Sequence, residues 1–146
     1  MVMFAVGFIY GSLMEWAIHK FLFHDMGKKR NSYFAFHLRE HHINCRRSNN
    51  VDREFSKREV PGLLFLLLIH YPIMLYVPMF YYALCFYGVL FVLIHNIAHK
   101  WPQFGKKYIP WHWDHHMVHQ NHNFNVVLPI ADYMLCTRKK DLTVDK

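Results

Sequence analysis

Between Val60 and His99 the chain contains no Asp, Glu, Lys or Arg. About 20 apolar residues suffice for one helix to cross the hydrocarbon core of a bilayer, and this stretch is about twice that length. Pro72 and Pro78 interrupt it, and Tyr76-Val77-Pro78 lies near its middle. The pattern predicts a tight hairpin of two spanning helices, about 61–76 and 79–98. A third apolar segment, about 2–18, carries Glu15 as its only charge, with Trp16, Phe21 and Phe23 placed for the membrane interface. No basic residue precedes that run and no small-x-small cleavage site follows it, so it does not read as a signal peptide. The chain reads as one all-α, multi-pass membrane domain, residues 1–146, with about three transmembrane helices.

The charges are sorted by position. All 17 Lys and Arg fall in two segments, Lys20 to Arg58 and Lys100 to Lys146. Three crossings put both segments on one side, and the positive-inside tendency makes that side cytoplasmic. The expected location is a bacterial inner membrane or a eukaryotic endoplasmic reticulum. The formal net charge of +7 follows from this sidedness and from anionic lipid headgroups. A nucleic-acid partner is not expected, because the aromatics lie in the apolar runs rather than in a basic patch. Cys45, Cys85 and Cys136 are odd in number and widely spaced, which fits a reducing compartment and gives neither a disulfide framework nor a zinc finger. Gly7-x3-Gly11, followed by Ser12, presents a small-residue face on which membrane helices can approach closely, including those of a second copy. Asn44 to Glu59 is charged and lacks apolar periodicity. It reads as a solvated connector with no catalytic part.

Ten of the 13 histidines fall in four clusters, each at the edge of an apolar segment. They are His19-x4-His24, His37-x3-His41-His42, His95-x3-His99 and His112-x2-His115-His116. Imidazole is the commonest neutral nitrogen ligand for iron, zinc and copper. A spacing of three or four residues puts two rings on one helix face. Ser32 to His42 predicts a helix with His37 and His41 one turn apart. Trp111 to His122 predicts another, on which His112, His115, His116, His119 and His122 form one stripe. With three crossings all four clusters reach the cytoplasmic face. Ten imidazoles exceed the needs of one metal, and two metals at roughly five nitrogens each fit the count. Such a ligand set leaves the metal charge uncompensated and suits an anionic, reduced oxygen species. Glu15, Asp114 and Asp132 can accept an imidazole N–H and so orient a ring. His70 sits mid-hairpin, away from that face, and reads as an internally satisfied membrane histidine.

The text around these histidines carries more. Glu15-Trp-Ala-Ile-His19-Lys-Phe-Leu-Phe-His24 and His115-His116-Met-Val-His119-Gln120, with the four boxes in order, resemble the fatty acid hydroxylase / sterol desaturase superfamily. Within it the chain is most similar to fatty-acid 2-hydroxylase-like members. The stretch Asn123 to Arg138 is similar to the family's closing element, where the family usually has Gly in place of Cys136.

That resemblance implies a helical membrane anchor under a cytoplasmic helical cap holding a non-haem di-iron site, in which zinc can replace iron on purification. It implies one metal on His19, His24, His37, His42 and His116, and another on His41, His95, His99, His112 and His115. His119 and His122 extend the stripe and would orient a ligand ring, gate the substrate, join a metal or simply pack; His119 also has a counterpart in fatty-acid 2-hydroxylase-like relatives. Glu15 and Asp132 recur in relatives. The implied activity is hydroxylation of an unactivated C–H bond in a fatty-acyl or sterol-like lipid, with dioxygen as co-substrate. Two electrons would come from a separate donor, a ferredoxin or cytochrome b5 with its reductase. Carotenoid hydroxylation or lipid desaturation on the same site is the near alternative, although the third box of beta-carotene hydroxylases is usually wider than His95-x3-His99. A membrane metal-binding or transport protein is the alternative from another class, and it wants ligands across the bilayer.

Overall fold

A computed structural model describes residues 1–52 and 59–140, and among these it is helical with no strand. Helix α1 (Val2–Ala17) runs unbroken into a π-helical segment, Ile18–Met26. A second π-helical segment, His37–His42, continues directly into α2 (Ile43–Arg47). The hairpin follows as α3 (Glu59–Met74) and α4 (Pro78–Lys100), then the short helices α5 (Pro102–Tyr108), α6 (Pro110–Met117) and α7 (Ile130–Met134). Pro78 opens α4, where its missing N–H costs nothing and its fixed φ suits the first turn.

Two helices, Val2–Met26 and Pro78–Lys100, are long and apolar enough to cross a membrane. With 16 residues, α3 measures about 24 Å, against a hydrocarbon core of about 30 Å. The third expected crossing is therefore the shortest. The outward faces are apolar: Leu64, Phe65 and Leu68 on α3 and Phe86, Val89 and Leu93 on α4 are exposed. The fully enclosed side chains include six histidines, three asparagines and Asp132. A polar interior under an apolar surface is the reverse of a soluble domain and suits a lipid surround.

α1 packs along α4 through its glycines. A Cβ on Gly7 would stand 2.6 Å from the Phe80 carbonyl oxygen, and one on Gly11 would stand 2.8 Å from the Tyr87 ring. The small-residue face thus serves a contact within the chain. It is occupied by α4 and not free for a second copy, which corrects that expectation.

The segment after α6 returns across the bundle end. Ser12 Oγ accepts from the Ala131 amide (3.2 Å), and Asn125 Nδ2 donates to the Ser12 carbonyl (2.9 Å). Cys136, just past α7, holds φ at 56°. A Cβ is strained in this left-handed region, whereas glycine adopts it freely. Cys136→Gly is expected to stabilise the fold by about 1 kcal/mol, read as a rise of a few degrees in the thermal midpoint of detergent-purified protein.

Candidate metal centre

Five elements meet at one end of the bundle: the π-helical extension of α1, the second π segment, the start of α3, the end of α4, and α6. Ten imidazoles converge there. His19, His24, His37, His42 and His115 form one group whose ligand atoms all lie within 4.8 Å of one another. His95, His99, His112 and His116 form a second, and His41 joins His99 and His116 in an overlapping set. The ring centroids of His41 lie 4.7 Å from those of His99 and His116 and 5.2 Å from that of His95. The two five-ring groups touch at His42 and His116, 4.3 Å apart.

The π geometry explains this sorting. His19 and His24 are five residues apart, as are His37 and His42, and each pair lies within a π-helical segment. Bonds from i to i+5 widen the helix and bring such residues to one face. An α-helical period predicts His37 beside His41. Instead His37 pairs with His42, and His41 turns into the other group. His115 and His116 also exchange places relative to the division that the resemblance implies. His115 Nε2 stands 3.1 Å from His24 Nε2 in the first group, while His116 lies among His42, His99 and His112. They are neighbours on α6, about 100° apart around its axis, so one helix feeds both groups.

Four of the ten rings have their Nδ1 held by a hydrogen bond from outside the groups. His19 Nδ1–H donates to the Phe124 carbonyl (2.5 Å), His115 Nδ1–H to the His122 carbonyl (2.6 Å) and His99 Nδ1–H to the Asn50 carbonyl (3.1 Å). His41 Nδ1–H donates to Asp52 (2.7 Å). Glu59 bridges the groups, with one oxygen 3.5 Å from His37 Nδ1 and the other 3.4 Å from His95 Nδ1. Asn50, Asp52 and Glu59 all belong to the stretch read from sequence as a solvated connector without a role. That reading is corrected for the described part; 53–58 lie outside the described residues. Asn49 and Asn50 adopt left-handed φ of 52° and 66°, which Asn tolerates, and the turn aims the Asn50 carbonyl at His99. Cys45, also overlooked, is fully buried with Sγ 3.5 Å from His99 Nδ1. Burial pushes its thiol pKa up.

The carboxylates singled out in the sequence act one step further back. Asp132 accepts from the amides of Phe124 (2.9 Å) and Asn125 (2.8 Å). Glu15 accepts from the Val126 amide (2.8 Å), Asn125 Nδ2 (3.0 Å) and Tyr87. Neither contacts an imidazole; both brace the loop whose carbonyl holds His19. Asp114 lies 3.6 Å from Arg138. The expected stripe along Trp111–His122 breaks because α6 ends at Met117. His119 and His122 join neither group, and His122 contributes through its backbone carbonyl. His70 lies apart, bonded to Tyr10 (2.9 Å) and to the Leu66 carbonyl (2.7 Å).

These residues fit a metal. A carbonyl faces Nδ1 of His19 and a carboxylate faces Nδ1 of His37, so each ring carries its proton there. Their Nε2 lone pairs then face each other at 2.9 Å, where no hydrogen bond can form. With bonds of ~2.1 Å to a shared ion, two nitrogens at right angles stand ~3.0 Å apart. Both ring nitrogens of His116, and Nε2 of His41 and His95, are buried without a hydrogen-bond partner, a costly state unless an ion takes the lone pairs. Burial also holds His37, His42, His112, His115 and His116 well below their ordinary pKa, in the neutral ligand form. Both groups can therefore hold a metal ion.

Beside them lies a cavity of about 390 Å³, mostly apolar, bordered by His19, His37, His95 and Glu59 and running between α1, α3 and α4 to Tyr10 and His70. Compared with protein-family models, curated proteins and solved structures, the chain finds no match.

Two outcomes follow from the geometry. The five cap histidines have folded pKa values below the ordinary 6.5, so the unfolded chain binds more protons as pH falls past 6.5. Stability should be flat above that value and fall progressively below it, and added metal should shift the loss to lower pH. Thermal midpoints across a pH series, with and without metal, check this. Asp52 touches His41 of the second group, and Glu59 a ring of each. Asp52→Asn should weaken one metal by about 10–100-fold and Glu59→Gln should weaken both, read by elemental analysis during chelator titration.

Proposed function

We propose that the chain is an integral-membrane dimetal oxygenase of the histidine-box type, which hydroxylates an unactivated C–H bond of a lipid. One observation carries this reading. Rings of both groups, His19 and His37 of the first and His95 of the second, border a lipid-sized apolar cavity that runs into the helix bundle. α1 with its extension, α3 and α4 are the three crossings. The Lys- and Arg-bearing segments and the site then share the cytoplasmic side, and substrate reaches the cavity laterally from the bilayer. The same arrangement disfavours a metal transporter, which would need ligands at successive depths; His70 alone lies deeper, and its nitrogens are already bonded.

Two iron ions held there would supply the redox chemistry with dioxygen. One oxygen atom enters the C–H bond; the other leaves as water with two protons and two electrons from a separate donor protein. The residues of the chain perform the remaining work. Leu63, Leu66 and Phe91 line the cavity and exclude water from the reacting carbon. Glu59, Asp52 and the three carbonyls keep the Nδ1 protons outward, so the lone pairs they control would be open to a bound ion. Desaturation of the same chain would use the same positioning.

The test is iron-loaded protein in nanodiscs, given reductant, dioxygen and a bilayer lipid extract, with products read by mass spectrometry. Wild type should hold two metals per chain and form hydroxylated lipid. His41→Ala should lose at least about tenfold in product, while His70→Ala keeps its metal. Equal product from His41→Ala and wild type would refute the site.

A further inference from the structure

Polar groups at the deep end of the cavity have no part in holding metal. His70 Nδ1 lies 2.7 Å from the Leu66 carbonyl on its own helix, so the ring proton sits on Nδ1. Nε2 is then a bare acceptor. Tyr10 OH, 2.9 Å away on α1, must donate to it. The tyrosine proton is thereby committed, which leaves the phenol oxygen of Tyr10, a residue lining the cavity, as an acceptor only. The rest of that end, Leu66, Leu67 and Leu84, is apolar. Along α3, His70 lies eleven residues beyond Glu59, about 16 Å at 1.5 Å per residue.

We infer that Tyr10 and His70 form a hydroxyl-binding subsite, and that the lipid accepted is an alcohol oxidised at the end remote from its hydroxyl. Oxidation at the remote end rests on the oxygenase reading, whereas recognition of the hydroxyl rests on the Tyr10–His70 dyad alone. An alcohol O–H donates to the Tyr10 oxygen, and the hydrocarbon fills the roughly 16 Å to Glu59. An ether or ester oxygen brings only lone pairs and meets the phenol oxygen lone pair to lone pair. The arrangement therefore selects a donor, and it rejects an acceptor of the same length.

The probes are tritiated dodecanol, with unlabelled dodecanol, its methyl ether and dodecane as competitors, on metal-loaded protein in a scintillation proximity assay. Wild type should prefer the alcohol over the ether by about five- to tenfold, the worth of one hydrogen bond. Tyr10→Phe removes the acceptor and should abolish the preference with metal content unchanged. His70→Leu frees the tyrosine proton, so the ether should gain and the preference should shrink or reverse. A merely structural dyad would not produce that reversal. Equal competition by all three lipids on wild type, or an alcohol preference that survives Tyr10→Phe, would overturn the subsite. Oxidation of dodecane without any alcohol preference would overturn it while leaving the oxygenase reading in place. A Tyr10-dependent alcohol preference in protein that oxidises nothing would support the subsite and remove the oxygenase.

Discussion

A buried neutral imidazole is fixed with a lone pair inward when its other nitrogen is held from outside, and several parts of this fold supply such holds to the rings of the two groups. His19 depends on the Phe124 carbonyl. That carbonyl stays in place because Asp132 takes the amides on either side of it and Glu15 takes the amide of Val126. Thr137 adds a 2.7 Å bond to Asp132, and Trp16 on α1 donates to Thr137 (2.8 Å). A chain of bonds therefore runs from α1 through the closing segment to one ring of the first group. Truncating any link leaves a buried group unsatisfied as well as a ring misaimed.

The same constraint explains where the site lies. Ten polar rings cannot sit at mid-bilayer without a large cost, yet the apolar substrate proposed above would have to reach them. Placing them at the bundle end resolves the conflict. α1 and α4 each extend past their apolar stretch to deliver His19, His24, His95 and His99, while α6 and the second π segment close over the top. Gly105 allows this closure: a Cβ there would stand 2.8 Å from the Ala98 carbonyl oxygen, so α5 can lie directly on the last turns of α4.

Much of this is written in the sequence in a form that period-counting recovers. The charge-free stretch gives the α3–α4 hairpin, with Pro78 at the start of α4, and the clustering of histidines marks the site. Three features escape for physical reasons. The five-residue separations His19–His24 and His37–His42 do not fit an α-helical face, and only a widened helix makes them pairs; the spacing itself was the available signal. The assignment of His115 and His116 depends on how α6 is rotated between the groups, which adjacent positions cannot reveal. Asp52 and Glu59 come from a segment whose charge signals solvation, and only the folded chain shows that they are drawn onto rings. By contrast the acidic residues that looked suited to imidazoles, Glu15 and Asp132, spend their oxygens on amides.

Glu59 stands where these lines meet. It begins α3, its two oxygens face a ring from each group, and it borders the apolar cavity. Four elements deliver the ten rings and α3 delivers the carboxylate between them, and their relative placement would have to be fixed to a fraction of an ångström for a dimetal site. A single carboxylate touching both groups couples them more rigidly than two independent contacts would, because displacement of α3 moves His37 and His95 together. The same helix carries Leu63, Leu66 and His70 along the cavity. One rigid element thus spans from Glu59 to the deep end of the cavity, so on the proposed reading the length of lipid that fits and the geometry of the ligand rings would share a common ruler.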